Sequence, residues 1–200
     1  MLRAFLIVGL ILGLSEGLPG RVLAQSTTAP TVPEGGNYLS SPHSDELDNL
    51  FTLLANADET NWKALEEEIW DLWSRSGSDT FDLLLARGRD AMDEGDLDAA
   101  IEHLTALTDH APEFAEGWNA RATAFYLSGQ LGLSLDDIAR TLTLEPRHFG
   151  ALSGLGLILE QLGDPDRALQ AFQYSLAIHP QSPRVKEAVK RLETASGQDI

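Results

Sequence analysis

Glycine and proline recur in a single register: Gly95, Gly129 and Gly163, and Pro112, Pro146 and Pro180, each 34 residues after the one before. They bracket three stretches: "GDLDAAIEHLTALTDHAP" from Gly95, "GQLGLSLDDIARTLTLEP" from Gly129 and "GDPDRALQAFQYSLAIHP" from Gly163. Six punctuation residues held in register over three copies define a repeat protein, whose units stack because none can bury its apolar face alone. Each mark has a physical reason. The glycine ends a helix where the backbone turns left-handed, and Asp96, Gln130 or Asp164 then leads into the next helix. The proline closes the unit because it cannot continue a helix.

Between the marks, helical spacing selects one buried face per second helix: Ala100, Leu104 and Leu107; Ser134, Ile138 and Thr141; Ala168, Phe172 and Ser175. The first helices carry Leu84, Gly88 and Ala91, then Trp118, Ala122 and Phe125, then Leu152, Gly156 and Leu159. A small residue sits in the middle of each set, where two helices must approach closely.

This order of large, small, aromatic or aliphatic, glycine, small, bulky and proline, at a period of 34, resembles the tetratricopeptide repeat family over Phe81 to Pro180, half the chain. The resemblance implies an all-α fold, a right-handed superhelical solenoid of helix-turn-helix units over 81–114, 115–148 and 149–182, closed by a C-terminal capping helix. It also implies a concave groove lined by first helices that holds a peptide or protein segment. Carried over by register, that lining is Leu85, Arg89 and Met92, then Asn119, Thr123 and Tyr126, then Ser153 and Leu157. Met92, Tyr126 and Leu157 have a competing assignment, packing beneath the amino-terminal helices or tether. The lysine and asparagine with which the family's best-known variant clamps a terminal carboxylate are replaced by Leu85 and Arg89, so no such clamp is expected. Arg87 and Arg121 stand where the family places an aliphatic residue; their stems should pack while their heads reach acids. Ser134 replaces an alanine, and its hydroxyl is expected to bond back to its own helix.

Outside the repeats, Glu46 to Ala55 and Asn61 to Arg75 form a further pair of amphipathic helices, read as a degenerate amino-terminal repeat over 45–77. Residues 183–195, with Val185, Ala188, Val189 and Leu192 on one side, form the cap that a last unit needs to hide its apolar face, and 196–200 are a tail. Residues 25–44 are rich in proline, glycine and hydroxyls and read as a flexible tether. At the start, Arg3, the apolar run Ala4 to Leu14 and "VLAQ" form a signal peptide over 1–24, with cleavage between Ala24 and Gln25. The competing reading is an uncleaved anchor, but Glu16 interrupts a run already short of the roughly 20 residues that span a bilayer. The mature protein is expected to be exported to the periplasm, with no membrane insertion after cleavage.

A net charge of -17 disfavours nucleic acid as a partner. The absence of cysteine excludes disulfides and thiolate chemistry. His103 and His110 lie seven residues apart on one helix, about 10.5 Å at ~1.5 Å per residue, too far to ligate one metal side by side. His110 and His179 fall at helix carboxyl ends, where partial positive charge suits the dipole. "DEGDLD" at Asp93 to Asp98 lacks the ligand pattern of a calcium loop and is explained by helix capping. "GLG" at Gly154 to Gly156 follows no strand and lacks the third glycine of a dinucleotide fingerprint. No metal, cofactor or catalytic residue is therefore expected. The function expected is a non-catalytic protein-interaction adaptor or scaffold in the bacterial cell envelope. The alternatives are a self-associating structural subunit, joined through the tryptophan-rich amino-terminal pair, and, more remotely, an undetected enzyme.

Overall fold

The computed structural model describes residues 44–196; the signal segment, its cleavage position and the tether up to residue 43 lie outside the described residues, as do 197–200. The described residues form an all-α fold of nine helices: α1 (Ser44–Ala55), α2 (Trp62–Trp73), α3 (Asp79–Glu94), α4 (Leu97–His110), α5 (Ala115–Leu127), α6 (Leu131–Leu144), α7 (Phe149–Gln161), α8 (Pro165–Ile178) and α9 (Pro183–Ser196). Three helix pairs, α3–α4, α5–α6 and α7–α8, stack in sequence, with α3 against α5 and α5 against α7.

The register that punctuates the sequence sets the turns. Gly95, Gly129 and Gly163 have φ of 79°, 77° and 79°, a left-handed conformation that costs a glycine nothing and an ordinary residue strain. After them, the Asp96 and Asp164 carboxylates accept from the backbone N–H groups of Ala99 and Arg167, capping α4 and α8; Gln130 makes no such bond. The apolar stripes of α4, α6 and α8 are buried throughout. Each pair closes tightly at its small residue. A methyl group on Gly88 would stand 2.5 Å from Leu104 Cγ, and one on Gly156 would stand 2.6 to 2.7 Å from the Phe172 ring.

In the middle pair the small residue is Ala122, and here Ser134 departs from expectation. Its hydroxyl donates to the Ala122 carbonyl across the pair at 2.7 Å, not to its own helix. Full burial leaves the hydroxyl no water, and the neighbouring carbonyl satisfies it while tying α6 to α5. Arg121 behaves as its position predicts. Its guanidinium grips Asp137 with two bonds of 2.7 and 2.9 Å, donates to Thr108 Oγ1 at 2.8 Å and lies 4.8 Å from the Trp118 ring centre. Arg87 does not: it is exposed and pairs with no acid among the described residues. At the far end α9 lays Val185, Ala188 and Leu192 over Leu159, Ala168 and Phe172.

The α1–α2 hairpin is not stacked as an extra repeat on the outer side of α3. Its apolar side joins Leu47, Leu50, Phe51, Leu54, Ile69, Leu72 and Trp73 to Phe149, Leu152 and Ile178 of the third unit. The seat is the pair of turns that precede α7 and α9. There Arg147 bonds Asp48 at 2.6 Å and lies over the Phe51 ring, and the Gln181 amide donates to the Ala57 carbonyl at 3.1 Å. His148 and His179, at those same turns, supply flat rings against which the hairpin tryptophans pack.

Candidate functional site

Two adjoining features occupy the face presented by the first helices. One is an open groove of about 400 Å³ crossing α5, α7 and α9, with α2 as a wall. Its apolar lining comes from Ala122, Tyr126, Leu127, Leu157, Val185 and Trp70. Leu127 and Leu157 are 52% and 45% exposed, a large apolar offering for helix positions that could have been polar without cost to the core. Arg184 sits on the rim and forms no ion pair among the described residues; Glu66 lines the α2 side.

The second feature is a buried polar chain beneath the hairpin. Glu116, 3% exposed, accepts from Arg89 Nη2 at 2.5 Å on one oxygen and from Asn119 Nδ2 at 3.1 Å on the other. That second oxygen also faces His148 Nε2 at 2.9 Å. His148 is the N-cap of α7: its Nδ1 accepts from the Ala151 backbone N–H at 3.1 Å, so the ring proton resides on Nε2 and is donated to Glu116. Arg89 Nη1 donates to Ser74 Oγ at 3.0 Å, linking the network to the end of α2. Trp73 stacks on the His148 ring with centres 4.0 Å apart and planes 7° from parallel. The acid and imidazole are adjacent, as in a general acid–base pair, but both are sealed from solvent and neither lines the groove. Their chemistry here is to hold elements together.

The residues assigned to the groove by register divide accordingly. Asn119, Thr123, Tyr126, Ser153 and Leu157 line it. Leu85 does not: it is 1% exposed, packed with Leu104, Ala120 and Ala124, because the alanines of α5 let α3 come close enough to enclose it. Arg89 is engaged by Glu116 and Ser74, and Met92 is half-buried against the same first-unit core, so neither reaches the groove. Tyr126 and Leu157 line the groove beside the hairpin and are not packed beneath it; the tether, the other half of the competing assignment, lies outside the described residues. Trp70, Glu66 and Arg184 line the groove without having been identified from the repeat, because they come from elements outside it. His179 is buried among Trp62 and Phe149 rings, with Glu66 Oε1 3.5 Å away and no hydrogen bond to either ring nitrogen. His110 ends α4 and is exposed. Among the described residues no group of three or more histidine and acidic side chains is placed to hold a metal ion, and no helix is long and apolar enough to cross a membrane.

Stacked helix pairs closing at a small residue, with an open groove along the first helices, define a helical-repeat protein of the interaction-domain class. The chain belongs to the tetratricopeptide repeat family, whose profile matches residues 85–143 and 128–183. A TPR repeat-containing protein of Rhizobium etli is 36% identical over 162 residues, covering 80% of this chain and 79% of that protein. Among solved structures, the Sgt2 TPR domain from Aspergillus fumigatus superposes with a TM-score of 0.57 at 22% identity, covering 61% of this chain and 82% of that one. The first TPR domain of Spaghetti, bound to an HSP90 peptide, gives 0.58 at 19% identity, covering 60% and 98%. Proteins of this family generally mediate protein–protein contacts on a fold that is typically non-catalytic.

Proposed function

We propose that this chain is a non-catalytic adaptor of the bacterial cell envelope, exported to the periplasm, that holds a peptide or protein segment in the groove across α5, α7 and α9. The observation that carries the reading is the groove itself, whose exposed Leu127 and Leu157 flank Tyr126 along one open face. Such a surface favours a partner segment with one or two bulky apolar side chains, and the unpaired Arg184 on the rim favours an acidic group beside them. The domain of similar fold that holds an HSP90 peptide supports a peptide ligand. The export reading rests on residues 1–24. The alternative, self-association through the hairpin tryptophans, has less surface to use: Trp73 is buried on His148, and Trp70 and Trp62 are half-buried against Phe149 and His179.

The test is in-cell crosslinking and capture with Tyr126→Ala combined with Leu157→Ala. Partner binding should weaken by about 2 kcal/mol, roughly 30-fold, with little change in thermal midpoint. The convex-side pair Glu102→Ala with Asp136→Ala, both exposed, should keep the same partners. If the groove variant retains its partners and the convex variant loses them, the binding surface is on the opposite face.

A further inference from the structure

We propose that α2 is a pH-released wall of the groove, with His148 as the titrating latch. This rests on the reading of the groove as the binding site only for its consequence; the motion itself is a property of the free chain.

Two bonds fix the His148 tautomer and engage both ring nitrogens. Nδ1 must be an acceptor to cap α7 at Ala151, and Nε2 carries the one proton to Glu116. Protonation puts a second proton on Nδ1, pointing at the Ala151 N–H. Donor then faces donor in a place fully closed to water, and the cap is lost. Two nearby features favour the charged ring, the Glu116 carboxylate and the face of Trp73. Glu116, however, is already neutralised by Arg89. To escape Ala151 the ring must rotate, and Trp73 lies flat on it. The ring gains that freedom when the Trp70–Trp73 edge of α2 withdraws.

The other charged groups on these elements do not oppose this. In the turn before α7, Arg147 is held by Glu145 and by Asp48 of α1. From α3, Arg89 reaches only the far oxygen of Glu116 and Ser74. α2 sets Glu66 beside His179, which is the last residue before the α8–α9 turn. Glu66 thus faces the other histidine of the seat and not His148.

A second observation shows that the seat is poised. The buried side-chain nitrogens without a hydrogen-bond partner among the described residues are Trp73 Nε1 and both ring nitrogens of His179, all three at the hairpin seat. Withdrawal of α2 hydrates them, which offsets part of the apolar contact that it gives up. Because Trp70 lies against Gly150 and lines the groove, withdrawal widens it.

Three of the four tryptophans, Trp62, Trp70 and Trp73, are in the hairpin, so emission reports on it directly. In a Trp118→Phe background, lowering the pH from about 8 to about 5 should shift emission to the red and raise acrylamide quenching severalfold. Ellipticity at 222 nm should stay constant. His148→Asn, which keeps a capping acceptor but cannot titrate, should show no pH-dependent shift, while His179→Gln should keep it. Long-range ¹⁵N spectra of histidine-labelled wild type should show His148 as the Nε2–H tautomer at high pH, protonating together with the emission change. The proposal is overturned if His148 protonates with emission position and quenching unchanged, if emission shifts while His148 stays neutral, if His179→Gln abolishes the shift, or if ellipticity collapses with it. No partner is present in these measurements, so their failure leaves the groove reading standing, and failure of partner capture leaves them unaffected.

Discussion

Substitution of Gly156 by alanine tests the closeness on which the repeat depends. The added methyl would lie 2.6 Å from Phe172 Cε1 and 2.7 Å from Cδ1 and Cζ, where carbon atoms normally rest about 3.5 to 4.0 Å apart. The ring must retreat by about 1 Å. It is 2% exposed and packed among Leu159, Ala168 and Val185, which resist that shift. Overpacking of this kind costs about 1 to 3 kcal/mol. Alanine also favours the helix by about 1 kcal/mol over glycine, which would partly mask the effect. Gly132→Ala removes that ambiguity, because Gly132 is also helical and a methyl there meets nothing within 4 Å. The difference between the two variants therefore isolates the clash, and it should be about 1 to 3 kcal/mol in urea unfolding, with Gly132→Ala equal to or above wild type. Phe172→Leu in the Gly156→Ala background should recover part of the loss relative to Phe172→Leu alone, a coupling that a double-mutant cycle measures. Equal midpoints for the two alanine variants would refute the close approach of α7 and α8, and with it the register that places every groove residue.

Removing Arg121 should be costly in a different way: Arg121→Ala leaves Asp137 buried without its partner, and urea unfolding should show a loss of about 3 kcal/mol or more. Asp164→Asn should change the pH profile of stability. The Arg167 side chain, with the Arg167 backbone N–H, holds the Asp164 carboxyl below the usual carboxylate range. A depressed folded-state value means that this carboxylate stabilises the fold at neutral pH and that its contribution is lost as the pH falls through and below that range. Thermal midpoints of wild type and variant should therefore differ at neutral pH and converge in acid; a constant gap would show that the charge of Asp164 contributes nothing.

The residues that carried the fold in the sequence were those whose causes are local. A glycine at φ near 79°, an aspartate capping the next helix and a stripe with Ala100 and Leu104 four positions apart act within one unit, so their spacing exposes them. The groove was legible as far as this register reached: Asn119, Thr123, Tyr126, Ser153 and Leu157 line it. The docking of the hairpin left no such trace. Its contacts pair Asp48 with Arg147 and Ala57 with Gln181, 99 and 124 residues away, and no periodicity connects positions so distant. Nor does the hairpin carry the marks of a unit: one period before Gly95 and Pro112 stand Asn61 and Ser78. Arg89 shows the same limit. Its position faces the concave side, but what occupies that side is Glu116 under a helix from elsewhere in the chain.

One position did record that the hairpin is absent from the outer side of the first unit. Arg87, Arg121 and Leu155 are equivalent at 34-residue spacing, and so are His103, Asp137 and Ala171. In the third unit the pair is apolar, and Leu155 packs with buried Ala171 between α7, α8 and α9. In the second, a half-buried Arg121 is matched by a buried Asp137, which satisfies the charge that the stacked first unit covers. In the first, Arg87 is exposed and pairs with no acid among the described residues. A preceding repeat packed on α3 would bury this position and strip water from a guanidinium left without a carboxylate, at a cost several times that of leaving it wet. Arginine at position 87 suits an open outer face, whereas a stacked repeat would have to bring it a carboxylate, as Asp137 meets Arg121. The hairpin is thus free to cross to the turns before α7 and α9, where Phe149 and Ile178 offer the apolar surface its tryptophans and leucines require.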